Sequence, residues 1–166
     1  VGLAAIIGGF LGARIYFILE RLDQFGQDPW GMILSGAGLV WYGGFIGGFG
    51  AVIWVIRRSG TPILRAGDTI MPLLVLGYGI GRIGCQLAGD GDYGPPSDVP
   101  WAMAYPDGVV PTTQKVHPTP VYDTLLSLGF FALIWINRAK MVKVGTAMAW
   151  GMIALGAERF ITEFFR

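Results

Sequence analysis

Five long apolar stretches dominate this sequence of 166 residues. Each has about the 20 residues that an α-helix needs to cross roughly 30 Å of hydrocarbon. None alternates apolar and polar residues over about ten positions, as the strands of a membrane barrel do. We therefore predict an all-α, polytopic membrane protein, folded as a single transmembrane domain over residues 1–166. Its membrane helices, about five in number, are expected at residues 1–19, 38–56, 69–89, 119–136 and 145–165.

The composition supports this class of protein and argues against others. Hydrophobic residues make up 53% of the chain and charged residues 14%, whereas a typical soluble domain has about 25% charged residues. A net charge of +1 argues against a basic nucleic-acid binder, and the high hydrophobic content argues against a disordered chain. The single cysteine excludes an intrachain disulfide framework and a multi-cysteine metal site. We expect no metal ion and no cofactor.

The connections between the apolar stretches differ in charge, and this difference predicts the orientation of the chain. Residues 20–37 and residues 90–118 are acidic and are expected on the outer side, where residues 90–118 would form a periplasmic loop. The other two connections are basic and are expected in the cytoplasm. The first helix then starts at the cytoplasmic face and the chain ends within an apolar pattern, so we expect further helices at both ends. The basic residues that decide the orientation are Arg57, Arg58, Arg65, Arg138, Lys140 and Lys143.

Three arginines lie within predicted membrane helices, where a charged side chain is costly and usually functional. At a rise of about 1.5 Å per residue, Arg14, Arg82 and Arg159 all fall in the outer half of their helices. Guanidinium groups suit bidentate binding of phosphate, so we predict an anion site near the outer leaflet. Two alternatives stay open. Each arginine could extend separately to the lipid headgroups, or Arg159 could pair with Glu163 one turn further on.

Several glycines within the apolar stretches are spaced four residues apart. In membrane helices this spacing predicts that two backbones approach closely. The pairs are Gly8/Gly12, Gly43/Gly47, Gly44/Gly48 and Gly77/Gly81.

Five short motifs follow one another along the chain. The longest is GRIGCQLAGDGDYG at residues 81–94. The others are GARIY at residues 12–16, WYGG at 41–44, HPTPVYD at 117–123 and RFITEFFR at 159–166. Together they resemble the signature motifs of the bacterial prolipoprotein diacylglyceryl transferase family. The resemblance covers nearly the whole chain and is specific as a set.

This resemblance implies a fold of seven membrane helices, of which the chain would supply the middle five. It implies an enzyme of the bacterial inner membrane whose active site faces outward. Members of the family transfer the diacylglyceryl group of phosphatidylglycerol to the lipobox cysteine of preprolipoproteins, forming a thioether and releasing glycerol phosphate. The expected partners are phosphatidylglycerol, the signal peptide with its lipobox cysteine and membrane lipids, and no nucleic acid. The alternative is a non-catalytic phospholipid-binding or transport protein, because Cys85 and Ala88 replace two asparagines of the family signature.

The resemblance also implies which residues form the site. Arg82 and Arg159 would contact the departing phosphate, with Arg14 in support, and Glu163 belongs to the same motif as Arg159. Either Asp90 or Asp92 would replace the glutamate of the family signature. The residues expected to bind substrate are Arg14, Arg82, Gly89, Asp90, Asp92 and Gly94.

The general base that takes the thiol proton would be Tyr42 or His117. Many family members have a histidine at the position of Tyr42, and tyrosine is a weak base near neutral pH because a phenol ionises only at about pH 10. His117 is the single histidine of the chain. It could instead be a loop residue that closes on a carboxylate such as Asp123. We expect Cys85 to be a small, buried apolar residue and not a nucleophile, since the acceptor protein brings its own thiol.

Overall fold

The computed structural model describes residues 1–22 and 40–166, without the side chain of Trp41. The predicted outer connection of residues 20–37 therefore lies almost wholly outside the described residues. The helices are α1 (Gly2–Glu20), α2 (Trp41–Arg58), α3 (Ile63–Ala88), α4 (Thr119–Asn137) and α5 (Thr146–Thr162). Two short strands, β1 (Met103–Tyr105) and β2 (Thr112–Val116), lie between α3 and α4, and 3₁₀ turns Arg138–Lys140 and Glu163–Phe165 follow α4 and α5.

Each of the five predicted apolar stretches corresponds to one helix, which confirms the all-α, polytopic fold class. Among the described residues, three helical stretches are long and apolar enough to cross a membrane: Gly2–Glu20, Ile63–Ala88 and Thr119–Lys140. α2 has 18 residues and α5 has 17, and neither of them reaches that combination of length and apolarity. The number of five membrane-spanning helices therefore stays a prediction.

The described chain divides into two compact units, residues 1–63 and residues 64–166. The single domain over residues 1–166 stays a prediction. In the first unit α1 packs on α2 through glycines: a Cβ on Gly12 would overlap the carbonyl oxygen of Gly43, and one on Gly47 would overlap that of Gly8. Because the backbones are this close, the predicted packing role of these two glycine pairs is confirmed.

The second unit has a small apolar core between three helices. Val75 of α3, Ile134 of α4 and Ala154 of α5 are buried together, with Phe131 and Leu155 packed against them. The large apolar residues on the outer faces of the helices, such as Leu125 and Ile153 at 64% and 58% exposed, present an apolar surface suited to contact with lipid.

An aspartate links the starts of α3 and α5. The carboxylate of Asp68 accepts hydrogen bonds from the backbone N–H groups of Gly145, at 2.6 Å, and Met148, at 2.9 Å. The first N–H groups of a helix have no partner within the helix, so Asp68 caps α5 from a neighbouring element. α3 starts at Ile63, earlier than the predicted residue 69.

The loop between α3 and α4, predicted at residues 90–118, folds back on the end of α3. β1 and β2 pair antiparallel, with Met103 opposite Val116. The N–H groups of Val109 and Val110 donate to the carbonyl oxygens of Ala88 and Gly89 at 2.9 Å each. Gly89 has a φ of +57°, as is common for the residue that ends a helix. The hairpin was not predicted, because its strands are too short to show a period of two residues.

Candidate functional site

Arg82 is the centre of a charged cluster at the loop end of the second unit. It lies in the last two turns of α3 and is 7% exposed. Its Nε donates to Oδ2 of Asp123 in α4 at 2.6 Å, and its Nη1 pairs with Asp92 of the α3–α4 loop. Asp123 is 1% exposed. One guanidinium group is thus held by a buried carboxylate on one side and by a loop carboxylate on the other.

A second arginine reaches the same loop carboxylate. Nη2 of Arg166, which follows the 3₁₀ turn after α5, pairs with Oδ1 of Asp92, whereas Arg82 pairs with Oδ2. The hydroxyl of Thr119, at the start of α4, donates to the backbone carbonyl of Asp92. Two guanidinium groups therefore converge on one carboxylate whose backbone is held in place.

The two candidate loop aspartates have different positions. Asp92 contacts both arginines, while the exposed Asp90 accepts a hydrogen bond from the backbone N–H of Asp92 at 3.2 Å. The geometry therefore favours Asp92 as the acidic residue of the arginine cluster, with Asp90 shaping the turn beside it.

Arg159 and its neighbour Glu158 point in different directions from α5, because consecutive helical residues are about 100° apart. Glu158 is 2% exposed and faces Asp123 and Arg82. The side chain of Arg159 is 49% exposed and pairs with Glu163 at 2.7 Å. The structure thus has the i, i+4 pair that was one of the two alternatives for Arg159. The catalytic roles of Arg159 and Glu163 stay predictions.

His117 takes part in an aromatic cluster beside the arginines. Its Nδ1 lies 3.0 Å from the hydroxyl of Tyr122, which also accepts a hydrogen bond from Nε1 of Trp101 at 2.7 Å. The ring of Phe165 packs on both His117 and Tyr122, with centroid distances of 5.6 and 5.5 Å. The partner of His117 is therefore a hydroxyl group and not Asp123, which binds Arg82 instead.

An apolar cavity of about 550 Å³ opens next to His117. It is formed by the hairpin, the first turns of α4 and the end of the chain. Its volume and apolar surface suit a hydrocarbon chain or an apolar peptide side chain. The residues that line it are Val99, Trp101, Met103, His117, Pro118, Val121, Tyr122, Leu125 and Phe165.

The two predicted glycines of the loop have packing roles. A Cβ on Gly94 would overlap the carbonyl oxygen of Phe165 and approach Cβ of His117 to 3.0 Å. A Cβ on Gly89 would lie 2.8 Å from Cα of Gly108. The absence of a side chain at Gly94 lets the end of the chain approach the loop that carries Asp92, and its absence at Gly89 lets the loop fold back on the end of α3. Substrate binding by either glycine stays a prediction.

Gln86, in the last turn of α3, holds the hairpin against the cluster. Its Oε1 accepts a hydrogen bond from the hydroxyl of Tyr105 at 2.9 Å. The ring of Tyr105 stacks on Tyr93 with a centroid distance of 5.1 Å. Burial raises the pKa of the Tyr105 hydroxyl above its usual value of 10.0, so it stays a hydrogen-bond donor at neutral pH.

Cys85, Asp90 and Asp92 bring three potential metal ligands within 4.8 Å of one another. Both carboxylate oxygens of Asp92 already pair with guanidinium groups, and Nη1 of Arg82 is also 3.4 Å from Sγ of Cys85. Positive charges this close oppose the binding of a cation. The three residues therefore fit an anion site better than a metal site.

Arg14 and Tyr42 belong to the first unit. Arg14 is 7% exposed, and its guanidinium carbon lies 5.6 Å from the centroid of the Phe17 ring. Tyr42, in the first turn of α2, is 65% exposed. Their proposed roles in phosphate binding and proton transfer stay predictions.

Three residues of the cluster were not among the predicted site residues: Arg166, Asp123 and Glu158. Asp123 and Glu158 were visible as acidic residues inside apolar stretches, which is itself a functional signal. Arg166 was visible as the last residue of the motif at residues 159–166. Their convergence on Arg82 and Asp92 depends on how α3, α4 and α5 pack, which no spacing along the chain reveals.

Comparison with known proteins identifies the family. The family model described as prolipoprotein diacylglyceryl transferase matches residues 1–166. Proteins named phosphatidylglycerol–prolipoprotein diacylglyceryl transferase are similar to this chain. The one from Clostridium tetani is 32% identical over 169 residues, which cover 100% of this chain and 67% of that protein. Those from Idiomarina loihiensis and Nitrosomonas europaea are 34% and 35% identical, over 96% and 99% of this chain.

The chain spans 60% and 57% of the length of the last two relatives. The family model nevertheless matches the whole chain, residues 1–166. The chain therefore belongs to the prolipoprotein diacylglyceryl transferase family.

Proposed function

We propose that the protein containing this chain transfers the diacylglyceryl group of phosphatidylglycerol to the lipobox cysteine of preprolipoproteins. The observation that carries the proposal is the convergence of Arg82 and Arg166 on Asp92. Two guanidinium groups that share one carboxylate can share one phosphate in the same way, because both anions accept paired N–H donors. The names of the relatives point to the same phospholipid and the same acceptor.

In the proposed reaction the thiolate of the acceptor cysteine attacks the glycerol carbon that carries the phosphate. A C–S bond forms, the C–O bond to the phosphate breaks, and glycerol phosphate leaves with the electron pair of that bond. Negative charge grows on the leaving phosphate oxygen. Donors that are already in place around this oxygen stabilise the transition state most strongly. Arg82 is suited to this task because Asp123 holds its Nε side, which leaves the Nη1 side to the anion.

Asp92 occupies the position that the phosphate would take. It belongs to the loop and is partly exposed, whereas Asp123 is buried. A phosphate that enters the cluster would therefore displace Asp92 and leave the pair of Arg82 with Asp123 intact. In the proposed mechanism Asp92 neutralises the arginines until the phospholipid arrives. Arg159, with Glu163, and Arg14 remain the further candidates for contact with the headgroup.

His117 is the base that the geometry supports better, with Tyr42 as the alternative. For Nε2 of His117 to accept the thiol proton, the ring must carry its other proton on Nδ1 and donate it to the hydroxyl of Tyr122, 3.0 Å away. Trp101 and Phe165 fix this pair of side chains. The apolar cavity beside His117 would hold an apolar part of the lipid or of the acceptor peptide.

The arginine cluster would lie at the outer face of the bacterial inner membrane. The acidic loop of residues 90–118 is at the same end as Arg82, and the basic residues Arg138, Lys140 and Lys143 follow the opposite end of α4. Basic connections remain in the cytoplasm. The acceptor would meet the site as a signal peptide that carries its lipobox cysteine outside.

The proposal is tested by rescue of a bacterial strain depleted of its own transferase, using the full-length gene. We expect lipoprotein precursors to be processed by the wild type but not by Arg82→Ala. Arg65→Ala, an exposed arginine at the other end of the same helix, is the matched control and should rescue. Precursors that accumulate despite good expression of the wild type would refute the transferase and favour the non-catalytic phospholipid-binding protein. Rescue by Arg82→Ala would refute the phosphate role of the cluster.

A further inference from the structure

Glu158 is a buried acid that the proposed reaction does not use. It lies in α5, is 2% exposed, and forms no ion pair with an arginine among those found in the described part of the chain. Its Oε1 has no hydrogen-bond partner among the described residues. An ionised carboxylate with a bare oxygen is very unfavourable inside a membrane protein. The position of Glu158 therefore needs an explanation other than packing.

The neighbour of Glu158 is a second carboxyl group. The buried carboxyl groups of Glu158 and Asp123 face each other, and Oδ1 of Asp123, like Oε1 of Glu158, has no hydrogen-bond partner among the described residues. The other oxygen of Asp123, Oδ2, accepts from Nε of Arg82 at 2.6 Å. Two ionised carboxylates are both acceptors, so a hydrogen bond between two carboxyl groups requires a proton on one of them. Asp123 pairs with the guanidinium group of Arg82, whereas Glu158 forms no ion pair with an arginine among the described residues. A proton carried by Glu158 and donated to Asp123 would satisfy both bare oxygens.

The charges around Glu158 agree with this assignment. The titratable or charged groups that face it are Tyr78 and Arg82 from α3, Asp123 from α4 and Arg159 from its own helix. Arg159 is paired with Glu163, and Arg82 is shared between Asp123 and Asp92. Both arginines near Glu158 therefore already pair with another carboxylate.

We propose that Glu158 is a positioning residue that donates a hydrogen bond to Asp123 and thereby holds Arg82 in place for the phospholipid phosphate. Asp123 uses one side of its carboxylate for Arg82 and is fixed by Glu158 from the other helix. Arg82 is then oriented by α4 and α5 together, and its Nη1 stays directed at the loop when Asp92 leaves. The part of the proposal that concerns the phosphate rests on the proposed function, whereas the hydrogen bond between the two acids does not.

The hydrogen bond can be tested without any activity. A protonated carboxyl group inside a protein gives a carbonyl stretching band in the infrared that ionised carboxylates lack. We expect this band in the spectrum of the purified full-length protein at neutral pH and its loss in Glu158→Gln. A wild-type spectrum without the band, or a band that persists in Glu158→Gln, would overturn the proposal.

The positioning role is tested by transfer kinetics with phosphatidylglycerol and a lipobox peptide. We expect Glu158→Ala to lower kcat about 10- to 100-fold, since a misplaced catalytic group loses about that factor. Glu158→Gln keeps an N–H donor to Asp123 and should retain most of the wild-type rate. Ser127→Ala removes a buried hydroxyl that has no partner among the described residues and is the control for a polar-to-alanine change in the same bundle.

The outcomes separate the two proposals. Equal losses in Glu158→Gln and Glu158→Ala, or a wild-type rate in Glu158→Ala, would overturn the positioning role while the transferase stands. If Glu158→Ala fails to fold, a low rate in a folded Glu158→Gln variant would likewise overturn it. The wild-type protein could instead be inactive in transfer yet show the carbonyl band of a protonated carboxyl group, with that band lost in Glu158→Gln. This result would refute the proposed transferase and support the hydrogen bond to Asp123.

Discussion

Replacing Asp123 by alanine removes the buried carboxylate that neutralises Arg82. In the native protein Nε of Arg82 donates to Asp123 at 2.6 Å, and the side chains of Arg82 and Asp123 are 9% and 1% exposed. After the change the guanidinium group remains buried between α3 and α4, with the partly exposed Asp92 as its remaining carboxylate partner. We expect this to be a strongly destabilising substitution.

The magnitude follows from the burial of the two partners. Removing one partner of a buried ion pair lowers the free energy of unfolding by about 3–5 kcal/mol, because the other charge loses its compensation. Asp92 still compensates part of the charge of Arg82, so we expect the lower end, about 3 kcal/mol. Asp92→Ala removes a partly exposed partner and should lower the free energy of unfolding by about 1 kcal/mol or less.

The assay is equilibrium unfolding of the purified protein in detergent micelles, followed by tryptophan fluorescence. The double variant Arg82→Met/Asp123→Ala removes both charges, and it should be more stable than Asp123→Ala alone. A double-mutant cycle then gives the interaction energy of the pair. A loss below about 1 kcal/mol for Asp123→Ala, or effects that simply add in the double variant, would refute the buried ion pair as described.

The remaining predictions concern the base, the first unit and the cap of α5. His117→Ala should lower the rate of transfer more than Tyr42→Phe does, and the reverse order of the two rates would move the base to Tyr42. Gly47→Leu should lower the free energy of unfolding by about 1–3 kcal/mol, since its side chain would overlap the backbone of α1. The control is Gly50→Leu, because Gly50 has open space around it. Equal losses of stability in the two variants would contradict the close packing of α1 on α2. Asp68→Ala should lower the free energy of unfolding by about 1–2 kcal/mol by removing the cap of α5. An unchanged unfolding curve would show that the cap contributes nothing to stability.

Much of the fold could be predicted because membrane helices are signalled locally. Each apolar stretch has the length of a helix that buries its backbone polar groups in its own hydrogen bonds, and all five became helices. The glycine pairs of α1 and α2 predicted their close contact correctly. The hairpin of residues 103–116 and the start of α3 at Ile63 were missed. The position of the hairpin depends on backbone contacts with the end of α3.

The site was predicted only in part, for a reason visible in α5. Arg159 and Glu158 are adjacent in sequence, so counting residues gave both the same depth in the membrane. The resemblance drew attention to Arg159, yet the packing of α5 turns Glu158 toward Asp123 and leaves Arg159 with Glu163. The depth of a residue along a helix follows from its number, but its direction follows from the neighbours of the helix.

The sequence by itself therefore determined the class of protein, the positions of the helices and the family, and it marked Arg82 as one of three candidate arginines. These follow from apolar length, from charge placement and from motifs, all of which are properties of short segments. Only the tertiary structure decided that Asp92 and not Asp90 contacts the arginines, and that Arg166 reaches the same carboxylate as Arg82. It also decided that Asp123 pairs with Arg82 and that Glu158 faces Asp123. These contacts join residues from four separate segments that meet only when the helices pack, and a charge buried there requires a partner of opposite sign.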